Sequence, residues 1–245
     1  MNLQNRKTLI KENLIYYLTG FLIVFGLKLF YSKADCDMLT WILAPTARWV
    51  SILSGIPLWY EPGMGYVNYG LKFIIASSCS GVSFMIITIA TLIFSFVHRF
   101  DRPQKKAGWI LGSIIFSYLY TVFVNGLRII LAIYIPLNLE EKGFISRYLT
   151  AARLHTLIGT TVYFTALLTI YNVTGYLFQG TAVQKCFSPV FWYFFMVLGI
   201  PLLNRANRSN SMKFADYTVL ITITCAIILL IFMVLPRRRF HKKNQ

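Results

Sequence analysis

The chain has 245 residues, 57% of them hydrophobic and only 13% charged, with a mean hydropathy of +0.61. A soluble domain carries about 25% charged and 45–50% apolar residues, so this composition excludes a soluble enzyme, a disordered tail and a disulfide-stapled secreted miniprotein. The formal charge of +16, from 24 Lys+Arg against 8 Asp+Glu, would point to nucleic acid in a soluble protein and is read here first as membrane topology.

A spanning helix needs about 20 mostly apolar residues. Leu14 to Phe30 is the first, preceded by Arg6, Lys7 and Lys11. It has no small-residue cleavage site and reads as an anchor, not a removable signal peptide. Residues 39–55 are apolar but hold Pro45 and Arg48 in the middle. They predict an interfacial amphipathic helix on the outer surface, with Trp41 and Trp49 at headgroup level. Ile56–Tyr60, Tyr66–Tyr69 and Leu71–Ser77 are short, aromatic and β-branched, punctuated by glycines and prolines. They predict a small outer β-hairpin leading into Ser-Ser-Cys-Ser-Gly.

Further spans are Val82–Val97, a long run Trp109–Ile135, Leu154–Tyr171, Val190–Leu203 and Tyr217–Leu235. The long run is interrupted by Asn125-Gly126 and is read as one kinked helix stopped by Pro136. The expected fold is an all-α polytopic membrane protein of about six to eight transmembrane helices, forming one integral membrane domain over residues 1–245. Residues 204–245 supply the last span and a basic tail.

Charge sets the orientation. With the N-terminus inside, segments 1–12, 98–107, 176–188 and 236–245 hold 13 Lys+Arg against two acids. The other segments hold 10 against six, with Lys28 left at a helix end. This follows the positive-inside rule and predicts both termini in the cytoplasm. Most of the +16 is then topology, and nucleic acid is not an expected partner.

Few ionisable residues lie at membrane depth, so each is informative. An Arg at a helix centre costs about 2.5–3.5 kcal/mol on insertion scales, and Arg128 is such a residue, with Asn125 three positions earlier on the same helical face. Arg128 reads either as a functional cation or as a snorkelling residue that fixes packing. Cys79 lies in Ser77-Ser-Cys-Ser-Gly81 at the start of a helix, where unpaired N–H groups and the helix dipole lower a thiol's pKa. Its ordinary reading is a small buried apolar residue. Cys186 and Cys225 fit that ordinary reading well. Cys36 is flanked by Asp35 and Asp37, and nothing in the sequence supports its pairing with Cys79.

Of the three histidines, His98 and His241 fall in basic inside segments, and only His155 falls on the outer side with Cys79 and Arg128. A Cys and a His form a nucleophile–base pair, and an Arg supplies a fixed charge for an oxyanion. No His-Glu-x-x-His, Cys-x-x-Cys or phosphate-binding glycine loop is present, so neither metal nor cofactor is expected.

Cys79-Ser80-Gly81 after a short outer strand, then Asn125-Gly126-Leu127-Arg128, then His155 opening a helix, resembles the exosortase/archaeosortase family over roughly residues 40–175. The chain looks like one of the shorter variants, of the exosortase K type. The resemblance implies a cysteine protease/transpeptidase of the plasma membrane, its active site at the outer face. Its substrates would be exported proteins ending in a sorting signal: a short motif, a transmembrane helix and a basic tail. Cys79 would be the nucleophile, His155 the general acid/base and Arg128 the oxyanion or thiolate stabiliser. Asn125 would orient Arg128, with Ser80 and Gly81 in support. The acyl group would pass to an envelope acceptor, glycan or lipid, or to water, and the residues around Ile56–Tyr69 could bind the motif as an added strand. Two other readings stay open: a transporter or channel in which Arg128 binds an anionic solute, and a non-catalytic envelope assembly protein.

Overall fold

The structure is a computed structural model that describes residues 11–141, 150–179, 187–205 and 211–234. Arg6, Lys7, Cys186, His241 and the Arg237–Arg239 tail lie outside the described residues. In chain order the elements are α1 (Leu14–Lys33), α2 (Thr40–Ser54), β1 (Trp59–Glu61), β2 (Gly65–Asn68), β3 (Phe73–Ile75) and α3 (Val82–Phe96). After these come α4 (Pro103–Glu141), α5 (Ala151–Gln179), α6 (Phe187–Phe194), α7 (Ile200–Arg205) and α8 (Ser211–Val234).

The chain is a multi-pass membrane protein of the expected all-α class. Among the described residues five helices, α1, α3, α4, α5 and α8, are long and apolar enough to cross a bilayer, and a shorter apolar stretch covers Phe187–Leu203. In hydrocarbon every backbone N–H and C=O must be satisfied within the protein, which is why these segments are helical throughout. Chain contacts divide the protein into two compact units, Met1–Asn138 and Leu139–Gln245.

In the first unit α3 is the central helix. Its span, Ser77–Arg99, is 83% buried, whereas α1 is only 11% buried and exposes Phe21, Leu22 and Phe25 as a lipid-facing side would. α1 runs antiparallel to α3, with Tyr17 stacked on Phe94 near one end and Tyr31 donating to the Ser77 carbonyl near the other.

The helix expected at 39–55 forms as α2. It buries Ile42, Leu43, Thr46, Ala47 and Val50 on one face, while Arg48 stays exposed. α2 lies along α4 in the same direction: Trp41 stacks on Tyr118, Trp49 meets Phe123, and the Tyr134 hydroxyl donates to the Ser54 carbonyl. Pro45 explains one of these contacts. It has no N–H for the Trp41 carbonyl one turn earlier, and Tyr118 donates to that oxygen at 2.9 Å instead.

The expected hairpin is extended by a third strand into an antiparallel sheet of order β1-β2-β3. Tyr60 pairs with Tyr66, and Val67 with Ile74. Gly65 has φ +106°, and a Cβ there would collide with the Ile75 carbonyl. The loop after α1 clamps the β1–β2 turn. Asp37 accepts from the Gly63 N–H at 2.8 Å and the Tyr60 hydroxyl at 2.5 Å, and the Cys36 thiol donates to the Met64 carbonyl at 3.3 Å. These bonds, the Gly63 N–H foremost, hold the Asp37 carboxyl below its usual range.

One feature of α4 corrects the sequence reading, and a second agrees with its single helix. Pro136 does not stop the helix, which continues through it to Glu141. A proline forfeits one intrahelical bond, whereas ending the helix there would expose several backbone groups. Gly126 lies inside the same continuous helix, and the Trp49 ring occupies the place where its Cβ would be. It is a close-approach residue of the kind membrane helices use.

In the second unit, Phe164 of α5 packs on Tyr193 of α6 with ring centroids 4.9 Å apart, and Arg153 of α5 pairs with Asp216 of α8 at 2.8 Å. Between α6 and α7 a π turn, Phe195–Gly199, precedes Pro201, where the missing N–H makes an irregular turn natural.

Candidate active site

Cys79 ends a short 3₁₀ turn, Ser77–Cys79, between β3 and α3. Ala76 is extended, and the chain then folds back so that the Cys79 N–H donates to the Ala76 carbonyl at 2.8 Å and the Ser80 N–H to the Ser77 carbonyl at 3.2 Å. Those two amides are therefore committed to the turn. The Cys79 thiol is free and partly exposed, with Ser78 Oγ 4.0 Å from Sγ.

Gly81 caps α3 with φ +78°, a left-handed conformation that other residues adopt with strain. Space demands glycine as well. A Cβ at 81 would lie 3.0 Å from Asn125 Cγ, Asn125 Nδ2 and Thr121 Cγ2. Ser80 is fully buried, its hydroxyl accepting weakly from the Val82 N–H at 3.5 Å.

The side-chain amide of Asn125 donates to the Cys79 carbonyl at 2.7 Å. Sequence reasoning gives Asn125 the task of orienting Arg128; the bond to the Cys79 backbone is a contact that reasoning does not contain. With Tyr31 on the Ser77 carbonyl at 3.4 Å, the turn is held from two helices. Arg128 follows Asn125 by one turn of α4 on the same buried face and is 6% exposed. The first unit thus brings together Cys79, Ser80, Gly81 and Asn125, with Arg128 one turn further along.

His155 belongs to the second unit, in the second turn of α5, with an exposed side chain. Thr150 accepts from the Arg153 N–H at 3.3 Å and caps the helix. Arg153, two residues before His155, makes the ion pair with Asp216. Sequence reasoning missed both Arg153 and Tyr31; an Arg near an exposed helix start and a Tyr in an anchor carry no signal without their partners. Among the described residues no three His, Cys, Asp or Glu side chains come together as a metal site.

No curated protein and no solved structure matches the chain. The family model described as transmembrane exosortase (Exosortase_EpsH) matches residues 14–172. That stretch is well over half of the sequence and contains the Cys79 turn, Asn125, Arg128 and His155, so the chain belongs to the transmembrane exosortase family.

Proposed function

We propose that this exosortase is a cysteine transpeptidase with Cys79 as nucleophile, Arg128 as its electrostatic partner and His155 as general acid/base. Family membership supports a membrane transpeptidase that acts on proteins bearing sorting signals; the residue roles are our reading. The observation that carries it is the Asn125 amide on the Cys79 carbonyl at 2.7 Å. It ties the Asn-x-x-Arg segment to the Cys-Ser-Gly segment in one built turn, beyond what a buried structural cysteine needs.

In this reading the Cys79 thiolate attacks the scissile carbonyl carbon, forming a C–S bond and an oxyanion. With the Cys79 and Ser80 amides already used, the Arg128 guanidinium faces that charge. Collapse breaks the C–N bond, and His155 protonates the leaving amine, which departs with the transmembrane helix and basic tail. His155 then takes a proton from the acceptor, whose attack breaks the C–S bond and regenerates the thiolate. The extended motif pairs with an edge of the three-stranded sheet, just before the turn, and its helix arrives from the lipid. Positive-inside charge sets both termini in the cytoplasm and the reaction at the outer face.

The test is processing of a co-expressed exported protein that carries such a signal. Cys79→Ala, Arg128→Ala and His155→Ala should each abolish cleavage while the enzyme still accumulates in the membrane. Full processing by Cys79→Ala would remove the nucleophile assignment. Solute uptake that depends on Arg128 and ignores Cys79 would favour a transporter.

A further inference from the structure

The proposed chemistry gives no role to Lys28. Lys28 lies inside the span Leu14–Lys33, where a charged side chain needs a cause. Three contacts set the register of α1 against α3. Tyr17 stacks on Phe94 with centroids 5.9 Å apart, a Cβ on Gly20 would lie 2.8 Å from Ile93, and Tyr31 bonds the Ser77 carbonyl. Interpolated between those contacts, Lys28 stands at the level of Ser80–Phe84, just inward of Cys79.

Its direction is also fixed. Lys28 is half-buried on the side of α1 that holds Tyr17, Gly20, Val24 and Tyr31, away from exposed Phe21, Phe25 and Leu29. Its Nζ lies 5.5 Å from the centroid of the Tyr31 ring, so the side chain runs outward along α1. Tyr31 in turn touches the turn that carries Cys79. The ammonium thus lies over a ring whose hydroxyl contacts the Cys79 turn.

No carboxylate answers it from within the membrane. The spans Leu14–Lys33, Ser77–Arg99 and Pro103–Leu139 contain no Asp or Glu, and Lys28 makes no ion pair among the described residues. The acids on the neighbouring loop and sheet are engaged, Asp35 by the Met38 N–H, Asp37 by Tyr60 and Gly63, and Glu61 by Tyr69. Other titratable or charged groups on the surrounding elements include Tyr17, Tyr31, Lys33, Cys36, Tyr66, Tyr69, Lys72, Tyr120 and Arg128. An anion formed at the turn itself would answer this charge.

We propose that Lys28 is a second cation of the active site, which acts with Arg128 to stabilise the Cys79 thiolate. That thiolate forms when the thiol proton passes to the general base. It is also the group expelled when the acceptor breaks the thioester, so a cation beside it favours both steps. The proposal rests on Cys79 being the nucleophile.

The test follows alkylation of Cys79 by iodoacetamide against pH, read by mass spectrometry of its peptide in the full-length protein. Lys28→Met should move the midpoint of the rate profile upward by about one pH unit, the lower end of the roughly 1–3 units by which a nearby opposite charge shifts a pKa. At neutral pH that is about tenfold slower alkylation. Lys28→Arg should restore the wild-type midpoint, which a purely structural role would not require. Lys33→Met, at the exposed end of α1, should leave it unchanged. An unaltered profile in Lys28→Met, or an equal shift in Lys33→Met, overturns the proposal. If Cys79→Ala processes substrate fully, the underlying reading fails instead, and that result is separate from these profiles.

Discussion

The turn that bears Cys79 and the helix start that bears His155 are built in opposite ways. At Cys79, two carbonyls accept from side chains on different helices, and a glycine fills a conformation and a space closed to other residues. At His155, the side chain is exposed, and the nearby ties include a threonine cap and an ion pair whose partners are 42% and 69% exposed. The difference suits the two tasks proposed for these residues. A nucleophile must meet a carbonyl carbon in one geometry, where a 1 Å error costs about 10²-fold. A proton carrier needs reach more than fixity.

If that contrast is right, substitutions at the Cys79 turn should cost far more than those beside His155. Gly81→Ala should have the largest effect. Left-handed strain of about 1–3 kcal/mol combines with the displacement of Asn125, and processing should fall about 10²-fold or more. Gly55→Ala is the control. Gly55 has φ +70° with nothing within 4 Å, so it should lose some thermal stability and keep processing. Equal loss of processing in both would mean that strain alone matters.

Asn125→Leu comes next. It leaves the Cys79 carbonyl without its donor, at about 1–3 kcal/mol, and should slow both alkylation of Cys79 and processing about tenfold. Unchanged alkylation would mean that the bond does not position the turn.

Tyr118→Phe is expected to be milder, lowering stability by about 0.5–1.5 kcal/mol, read as thermal unfolding in detergent. The cost should shrink in a Pro45→Ala background, because an alanine at that position supplies the N–H that the Trp41 carbonyl lacks. Additivity of the two substitutions would break that account.

Asp216→Asn should do least. An exposed ion pair is worth about 0–1 kcal/mol and is screened by salt, so processing should change less than twofold. A loss as large as that of Asn125→Leu would show that His155 needs a fixed frame, and would dissolve the contrast.

The spans and the motif order were legible in the sequence because both rest on local signals, apolar length and a few residue types at set intervals. What was not legible depends on partners distant in the chain. Asn125 looks like a neighbour of Arg128 because three residues along a helix is one turn, yet its amide reaches the Cys79 carbonyl, 46 positions away. Gly126 reads as a break until the Trp49 ring is found in its place. Pro136 reads as a stop under the rules for helices in water, and α4 passes through it. Lys28 looks like a leftover charge in topology bookkeeping and gains meaning only from the register of α1 on α3. The third strand, Phe73–Ile75, lies within the run Leu71–Ser77, whose composition was legible, but its pairing with Tyr66–Asn68 is a matter of register that composition does not carry.

The most direct test of the central claim is to catch the acyl-enzyme. The full-length protein would be mixed with an exported protein carrying a motif, a helix and a basic tail, quenched in acid and digested for mass spectrometry. The account predicts the substrate fragment joined to Cys79, released by neutral hydroxylamine and absent in Cys79→Ala. An acyl group on another residue, or wild-type turnover by Cys79→Ala, would contradict it.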